Sequence, residues 1–183
     1  MSRALVERAQ QGDRDAYELL ARGSSRRLFA VAQRILRDVD QAEDAVQQTL
    51  VDIWRDLPSL RDPDRYDAWT YRIVVRHCRG ETRRHRRIGG SVVDLSEDMA
   101  SPDDPIGDVA VRDQLDRAFR SLRHEHRVVV VLHHFVGLPL GEIADILDIP
   151  YGTVGSRLHH AMRSMRATID AAERTTVRGG QPA

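Results

Sequence analysis

The sequence contains a single cysteine, Cys78, has no lysine, and is poor in aromatic residues and long apolar runs. One cysteine excludes an internal disulfide framework and leaves no Cys–Cys or Cys–His set at zinc-finger spacing. No apolar stretch approaches the roughly 18 residues that a membrane span needs, so we expect a cytoplasmic protein without membrane insertion. Hydrophobic residues make up 41% and aromatic residues 5% of the 183 residues, a composition that suits small helical cores.

The sequence also lacks the patterns that indicate an enzyme or a metal site. It has no phosphate-cradling glycine loop, no nucleophile elbow and no HExxH motif. Eight histidines are present, but neighbouring histidines on one helix point about 100° apart and rarely ligate the same metal. We therefore predict no catalytic residue, no metal and no cofactor, and interpret these histidines as exposed or DNA-facing imidazoles: His124, His126, His133, His134, His159 and His160.

The net charge of zero conceals a strongly segregated charge distribution. Residues 65–87 carry eight arginines against two acids, whereas residues 38–56 carry six acids against one arginine. Residues 89–108 carry six acids and no base. Because the local field follows the distribution of charge rather than its total, the basic stretch is typical of a nucleic-acid contact. A solvated helix end is the alternative interpretation of the same arginines.

Apolar residues recur at helical spacing along nearly the whole chain, and no convincing stretch alternates as a half-buried strand would. The sequence therefore predicts an all-α fold. Helical spacing disappears between residues 89 and 107, where Gly, Ser, Asp and Pro dominate, and this composition predicts a flexible acidic linker. We expect two small helical domains, at 1–88 and 108–172, followed by a disordered tail at 173–183.

Residues 40–57 predict an amphipathic helix with one polar face. Asp40 and Glu43 resemble a capping box at its start, and Pro58 ends it. Trp54 is either a core filler, as large aromatics at helical spacing usually are, or an interface anchor. The side chains opposite the apolar stripe form a hydrogen-bonding, mainly acidic surface: Asp44, Gln47, Gln48, Asp52 and Arg55.

Residues 140–165 fit a helix-turn-helix. Apolar positions between Leu140 and Leu147 give the first helix an inward face, residues 148–152 supply the break, and the second helix buries positions such as Val154 and Ala161. An ordinary helical hairpin with a solvated basic face would show the same pattern. The outward face of the second helix is able to reach base edges and phosphates in a major groove through Thr153, Ser156, Arg157, His159, His160 and Arg163.

Three segments together resemble the extracytoplasmic-function (ECF) sigma factors of RNA polymerase, group 4 of the sigma-70 family. Residues 122–166, with Val136-Gly-Leu-Pro-Leu-Gly-Glu-Ile-Ala144, look like the family's C-terminal domain, which reads the −35 promoter element. Residues 40–55 are similar to its polymerase-binding helix. Residues 67–77, leading into the arginines of 83–87, resemble the segment that acts on the −10 element.

The resemblance implies a sigma factor that binds core RNA polymerase, through its clamp helices and flap, and directs transcription from specific promoters. Domain 108–172 would read the −35 element as duplex, and domain 1–88 would melt the −10 element, which requires holding a flipped base and the phosphates of the displaced strand. An anti-sigma factor is a further implied partner. Polymerase contacts would come from Asp40, Glu43, Asp44, Gln47, Gln48, Asp52, Trp54 and Arg55, and −10 DNA contacts from Arg61, Asp62, Asp64, Arg65, Tyr66, Trp69, Arg72, Arg76, His77, Arg79, Arg83 and Arg84.

Two positions depart from the family pattern. Gly155 stands where the family usually has Lys or Arg, which removes one DNA contact and weakens the helix by up to about 1 kcal/mol relative to Ala. Arg76 stands where the family often has Asn, and the two side chains offer different hydrogen-bond patterns to bases. For Trp69, which lies four residues before Ile73, a core position is the more typical interpretation than base stacking.

Two other classes of function remain open on the residues alone. A stand-alone regulator would use the same helix-turn-helix, as a dimer on a palindrome, and would need no polymerase-binding helix. An interaction protein would use both domains only as helical docking surfaces and would show no preference for DNA sequence. Association with core polymerase distinguishes the first from a sigma factor, and promoter preference distinguishes the second.

Overall fold

The computed structural model describes residues 1–87 and 109–179, and every regular element within these two segments is helical. The all-α prediction is therefore confirmed for both segments, while the predicted linker, 89–107, lies outside the described residues. The first segment forms α1 (Arg3–Gln10), α2 (Arg14–Leu36), α3 (Val39–Asp56) and α4 (Tyr66–Arg87). The second forms α5 (Val109–Arg120), α6 (His124–Val130), α7 (Leu140–Leu147) and α8 (Tyr151–Gly179).

The start of α3 differs from the predicted capping box. Asp38 is the N-cap residue, and its carboxylate accepts a hydrogen bond from the backbone N–H of Gln41 at 2.9 Å. Asp40 lies inside the first turn, so the predicted cap was two residues too late. Arg37, which ends α2 in the left-handed conformation at φ 61°, turns the chain directly into Asp38. An acid in the first turn, as at Asp40, still favours the helix through its dipole.

The N-terminal domain buries one face of each of its three long helices against the other two. Its fully or nearly fully buried side chains include Leu28, Ile35, Val46, Ile53, Val74 and Cys78. Burial raises the pKa of the Cys78 thiol to about 12, which keeps it protonated and unreactive at neutral pH. Cys78 therefore fills core space.

The C-terminal domain contains the predicted helix-turn-helix. Asp148 ends α7 in the left-handed conformation at φ 53°, and α8 begins three residues later at Tyr151. The turn is closed by a hydrogen bond from the N–H of Ile149 to the carbonyl oxygen of Ala144 at 3.2 Å. Helices α5, α6 and α7 all pack against α8. Ahead of α7, residues Val131–Phe135 form one π-helical turn that continues α6.

Helix α8 is longer than the sequence predicted. It continues through Gly179, whereas a disordered tail was expected from residue 173. Thr175, Thr176 and Val177 have low helix propensity, but each residue added to an already formed helix gains one backbone hydrogen bond. Neither α8 nor any other helix in the described segments combines the length and the apolar character needed to span a membrane.

The two domains pack against each other and share one hydrophobic core. Helix α2 contacts α6, and α4 contacts α7. The guanidinium of Arg34 lies 3.7 Å from the centre of the Phe135 ring, and Arg127 donates a hydrogen bond to the carbonyl oxygen of Ile35 at 2.9 Å. The sequence predicted the two domains but not the contact between them. The residues that form this contact are apolar or basic, and residues of the same types also occur elsewhere in each domain, so the sequence does not distinguish them.

An ion pair at the start of α4 ties together three parts of the N-terminal domain. Asp67 accepts a hydrogen bond from Arg27 of α2 at 2.6 Å and from the N-terminal amino group at 3.0 Å. Burial alone would raise the pKa of Asp67, but these two cations outweigh it and hold the pKa below its ordinary value. The carboxylate is therefore more acidic in the folded chain than in the unfolded one.

We expect acid to destabilise the fold through this pair. A carboxyl with a lowered folded pKa contributes stability above its unfolded pKa, near 4, and that contribution disappears as the pH falls through the folded value. Asp67→Asn should therefore lower the free energy of unfolding at neutral pH and flatten its dependence on pH below about 4, measured by urea denaturation. Asp170→Asn, at an exposed position of α8, is the control. Identical acid profiles for Asp67→Asn and the parent protein would contradict the expectation.

Candidate nucleic-acid interface

Helix α4 presents a row of arginines on its outer face. Ile73 and Val74 point into the core, while Arg72, Arg76, Arg83 and Arg84 are exposed. The separation follows from the helical repeat, which places residues three, four and seven apart on the same side. The predicted cationic surface is therefore assembled on one helix, and its guanidinium groups are accessible to DNA phosphates.

Two surfaces that the sequence assigned to different DNA elements lie next to each other. Arg79 of α4 is half-buried, and its pKa is lowered first by burial and then by the neighbouring charges of Arg157 and Arg83. Arg157 belongs to α8, the predicted recognition helix. A surface cavity of about 570 Å³ also joins Arg65 and Arg72 to acidic residues of the helix-turn-helix, and its lining includes Asp145 and Asp148.

Asp52 does not project outward with the polymerase-binding residues, so this part of the prediction was wrong. Its side chain is 13% exposed and faces α4, where its Oδ2 atom accepts a hydrogen bond from Arg76 at 2.6 Å and lies 2.8 Å from His77 Nε2. Arg55 pairs with the other oxygen at 2.9 Å. Burial acts to raise the pKa of Asp52, but these partners together lower it.

The loop before α4 exposes some of the residues predicted to contact DNA and buries others. Tyr66 is 1% exposed, and its hydroxyl lies 3.2 Å from Ser24 Oγ inside the core, so its assignment to a DNA contact was wrong. Trp69 is half-buried against the same core, with its ring 6.2 Å from that of Tyr66. This packing supports the core interpretation of Trp69. The remaining loop positions are exposed: Arg61, Asp62, Asp64 and Arg65.

The outer face of α3 has the character expected of a protein-binding surface. Trp54 is 49% exposed and packs edge-on against Tyr17 at 4.5 Å, so its interpretation as core filler was wrong. Val51 is 64% exposed on the same helix. It was not predicted to be a surface residue, because nothing in the sequence distinguishes it from the other apolar residues of α3. The polar side chains around them are exposed as predicted: Asp40, Glu43, Asp44, Gln47, Gln48 and Arg55.

The start of α8 exposes most of the side chains predicted to face DNA. Val154 and Ala161 are fully buried and fix the helix against the rest of the domain. On the outer side Ser156, His159, His160 and Arg163 are exposed, while Thr153 and Arg157 are half-buried. The His126 ring of α6 stacks against the His160 ring, with 6.2 Å between their centres. This neighbour of the α8 face was not predicted from the sequence, because the contact joins two different helices.

Comparisons with known families divide the chain in the same way. The Sigma-70 region 2 family matches residues 20–88, and the Sigma-70 region 4 family matches residues 112–165. The ECF RNA polymerase sigma-E factor of Escherichia coli is 30% identical over 173 residues, which cover 88% of this chain and 90% of that protein. The chain belongs to the ECF sigma factors. The RNA polymerase sigma-H factor of Pseudomonas aeruginosa is 27% identical over 180 residues, covering 92% and 91% of the two chains.

Two solved structures resemble the fold of this sigma factor over most of its length. CnrH, solved in complex with the cytosolic domain of CnrY, is 26% identical with a TM-score of 0.65, and the match covers 92% of this chain and 97% of that one. The sigma factor RpoE of Bartonella quintana, solved with the anti-sigma factor NepR, is 25% identical with a TM-score of 0.64, covering 83% and 93%. Both matches extend over the two helical domains.

The family assignment settles the general function that the sequence predicted. This sigma factor directs promoter-specific transcription initiation by RNA polymerase. A stand-alone helix-turn-helix regulator is not favoured, because a Sigma-70 region 2 domain accompanies the region 4 domain.

Proposed function

We propose that the two domains divide promoter recognition between them. Domain 1–88 binds core RNA polymerase with the outer face of α3 and melts the −10 element with the outer face of α4. Domain 108–172 reads the −35 element as duplex through α8, and residues 89–107 connect the two. The observation that supports this most is the exposure of an acidic surface with a half-exposed tryptophan on α3 beside an arginine row on α4.

On α3, polymerase binding rests on the exposed apolar pair Val51 and Trp54 surrounded by polar groups. Buried aromatic anchors with a polar rim are the usual source of affinity at protein interfaces. The acids Asp40, Glu43 and Asp44 would direct this face toward basic regions of the polymerase clamp. Asp52, which faces α4, is not part of this surface.

On α4, DNA binding rests on accessible positive charge. Single-stranded nucleic acid is held by cationic grooves that follow its backbone, and Arg72 and Arg83 supply exposed guanidinium groups on the outer face of the helix. Arg84 is also exposed, but its charge is partly offset by an ion pair with Glu81 at 2.7 Å. Arg61 and Arg65 extend the same charge into the preceding loop. Tyr66 supports this loop from the core and does not contact DNA.

The −10 and −35 surfaces adjoin in the free protein, with Arg79 beside Arg157. A melted strand on α4 and a duplex on α8 would compete for this space and would repel each other. We expect the polymerase to hold the two domains apart when the promoter is bound, so that one chain reads two separated elements. An anti-sigma factor, as found with NepR for the Bartonella quintana RpoE, is the expected partner of the free protein. We expect no catalytic activity of its own and a cytoplasmic location.

Run-off transcription with purified core polymerase and a promoter library tests the proposal as a whole. Transcripts that start downstream of a shared pair of sequence elements are expected. Absence of any association with core polymerase would contradict the assignment of α3, and transcription without sequence preference would contradict the assignments of α4 and α8.

The role of α8 has a sharper test in Arg163→Ala. If Arg163 contacts a base, this change should weaken binding of the holoenzyme to promoters that carry the −35 element by roughly 5- to 150-fold. If Arg163 contacts a phosphate, the change should instead reduce the slope of the logarithm of the binding constant against the logarithm of salt concentration by about one unit. Arg174→Ala, at an exposed position about three turns further along α8, is the matched control. Equal promoter binding by both variants would remove Arg163 from the interface.

A further inference from the structure

Arg76 differs from a simple cationic contact because a buried carboxylate holds it. The Arg76 side chain is 62% exposed on the outer face of α4, yet its Nη2 atom donates a 2.6 Å hydrogen bond to Oδ2 of Asp52. Asp52 itself is 13% exposed and belongs to the neighbouring helix α3. The guanidinium is thus fixed from behind while its outer edge faces solvent.

The Asp52 carboxylate has a fixed orientation, because both of its oxygens have charged or hydrogen-bonding partners. Oδ1 pairs with Arg55 at 2.9 Å, and Oδ2 lies within 2.8 Å of both Arg76 Nη2 and His77 Nε2. Charge-assisted hydrogen bonds of this kind are stronger and more directional than neutral ones. The low pKa of Asp52 keeps the carboxylate ionised at neutral pH.

Such a partner changes what Arg76 contributes to DNA binding. The negative charge of Asp52, 2.6 Å away, offsets much of the positive charge of Arg76, so its long-range attraction for phosphates is reduced. In return the long side chain is ordered before DNA arrives, and the entropy lost on binding is smaller. Recognition of a base edge requires donors in a defined direction, whereas a phosphate can be bound by a mobile cation. A guanidinium with a fixed orientation is therefore of more use for base recognition than for phosphate binding.

We propose that Asp52 is a positioning residue that holds the Arg76 guanidinium for recognition of one base of the −10 element. The base expected is one with two adjacent acceptors, as guanine has in O6 and N7, because a guanidinium donates two parallel hydrogen bonds to such a pair. The inference rests on the proposed function, since it requires that α4 contact the −10 element. It assigns specificity to a residue pair formed between α3 and α4.

The test is selection of active promoters by the holoenzyme from a library randomised across the −10 element, followed by sequencing. The parent protein should prefer one base at one position by roughly 5- to 150-fold. Arg76→Ala should remove that preference, and Asp52→Asn should reduce it at least about fivefold at the same position while other positions change less than about twofold. In the double variant, Asp52→Asn should add nothing to the effect of Arg76→Ala.

Asp56→Asn is the matched control, because Asp56 is the neighbouring acid that pairs with Arg55 at 2.8 Å and makes no hydrogen bond to Arg76 among the described residues. It should leave the base preference unchanged. Thermal unfolding and competition for core polymerase are measured for every variant. Should Asp52→Asn fail to fold, Arg76→Lys replaces it. Lysine keeps the charge but lacks the planar fork, so the variant should lose the base preference while its affinity for promoters without the preferred base stays within about threefold of the parent.

The outcomes separate this inference from the proposed function. A parent holoenzyme without −10 preference would overturn both. A preference that survives Arg76→Ala would remove Arg76 from base recognition and overturn the inference alone. The inference alone is also overturned if Arg76→Ala removes the preference but Asp52→Asn leaves it intact, if Asp52→Asn acts equally in the Arg76→Ala background, or if Arg76→Lys keeps the preference.

Discussion

Replacing Val154 with Asp is expected to abolish recognition of the −35 element. Val154 is fully buried where α8 begins, among the side chains that join the recognition helix to α7. A carboxylate at this position loses its hydration without gaining a partner, and the cost of several kcal/mol is comparable with the whole stability of a small domain. The C-terminal domain should therefore unfold or lose its fixed packing, which circular dichroism and hydrogen exchange would detect.

Promoter binding by the Val154→Asp holoenzyme should consequently become insensitive to scrambling of the −35 element. Met162→Asp is the matched control, since Met162 lies on the same helix but is exposed. It introduces the same charge and should leave the domain folded. If Val154→Asp lost hydrogen-exchange protection in the C-terminal domain but kept its dependence on the −35 element, the assignment of α8 as the recognition helix would fail.

Truncating Trp54 to Ala should produce the largest single loss of polymerase affinity. A half-exposed tryptophan within a polar rim has the features of an interface hot spot, and truncation of such a residue costs about 2–4 kcal/mol, or roughly 30- to 1,000-fold in the dissociation constant. Trp54 is 49% exposed in the free protein, and Tyr17 covers only part of its ring. Truncation should therefore change the free energy of unfolding much less than the free energy of polymerase binding. Competition against labelled parent protein for core polymerase measures the loss.

Leu115→Ala supplies the comparison, because Leu115 is an exposed apolar residue on α5, outside the proposed polymerase surface. Its affinity for core polymerase should remain within about threefold of the parent, in keeping with the small effect of surface substitutions away from an interface. Asp44→Ala and Gln48→Ala should weaken association more modestly than Trp54→Ala, as rim contacts usually do. Unchanged affinity for all three α3 variants would place the polymerase contact elsewhere.

The helix-turn-helix could be predicted from sequence because local rules specify it. Two apolar stripes at helical spacing flank a break at residues 148–152, and the structure places the turn between α7 and α8 there. The amphipathic character of α3 was equally clear from its pattern. A helical repeat requires only the identity and spacing of residues, and for Val154 and Ala161 these correctly separated the inside from the outside.

Single polar or aromatic residues were less predictable. Asp52 is an acid at a helical position opposite the apolar stripe of α3, which is typical of a surface residue. Helix α4 nevertheless covers this position and provides two hydrogen-bonding partners for Asp52. Trp54 has the character of a core residue, yet it is half-exposed and contacts the Tyr17 ring of α2 at the surface. A helical pattern shows which side of a helix faces its own core, and it does not show how far a second helix extends around that side.

The amino-acid sequence by itself determined the helical class, the helix-turn-helix, the arginine row and the membership of a sigma family, because each depends on residue types at short, regular separations. Only the tertiary structure decided that Asp52 holds Arg76, that Tyr66 is buried, and that α4 lies against the helix-turn-helix. These features depend on distances between residues about 24 or more positions apart in the chain, as for Asp52 and Arg76. Such distances are fixed by the packing of whole helices, which optimises the shared core and has no local signature.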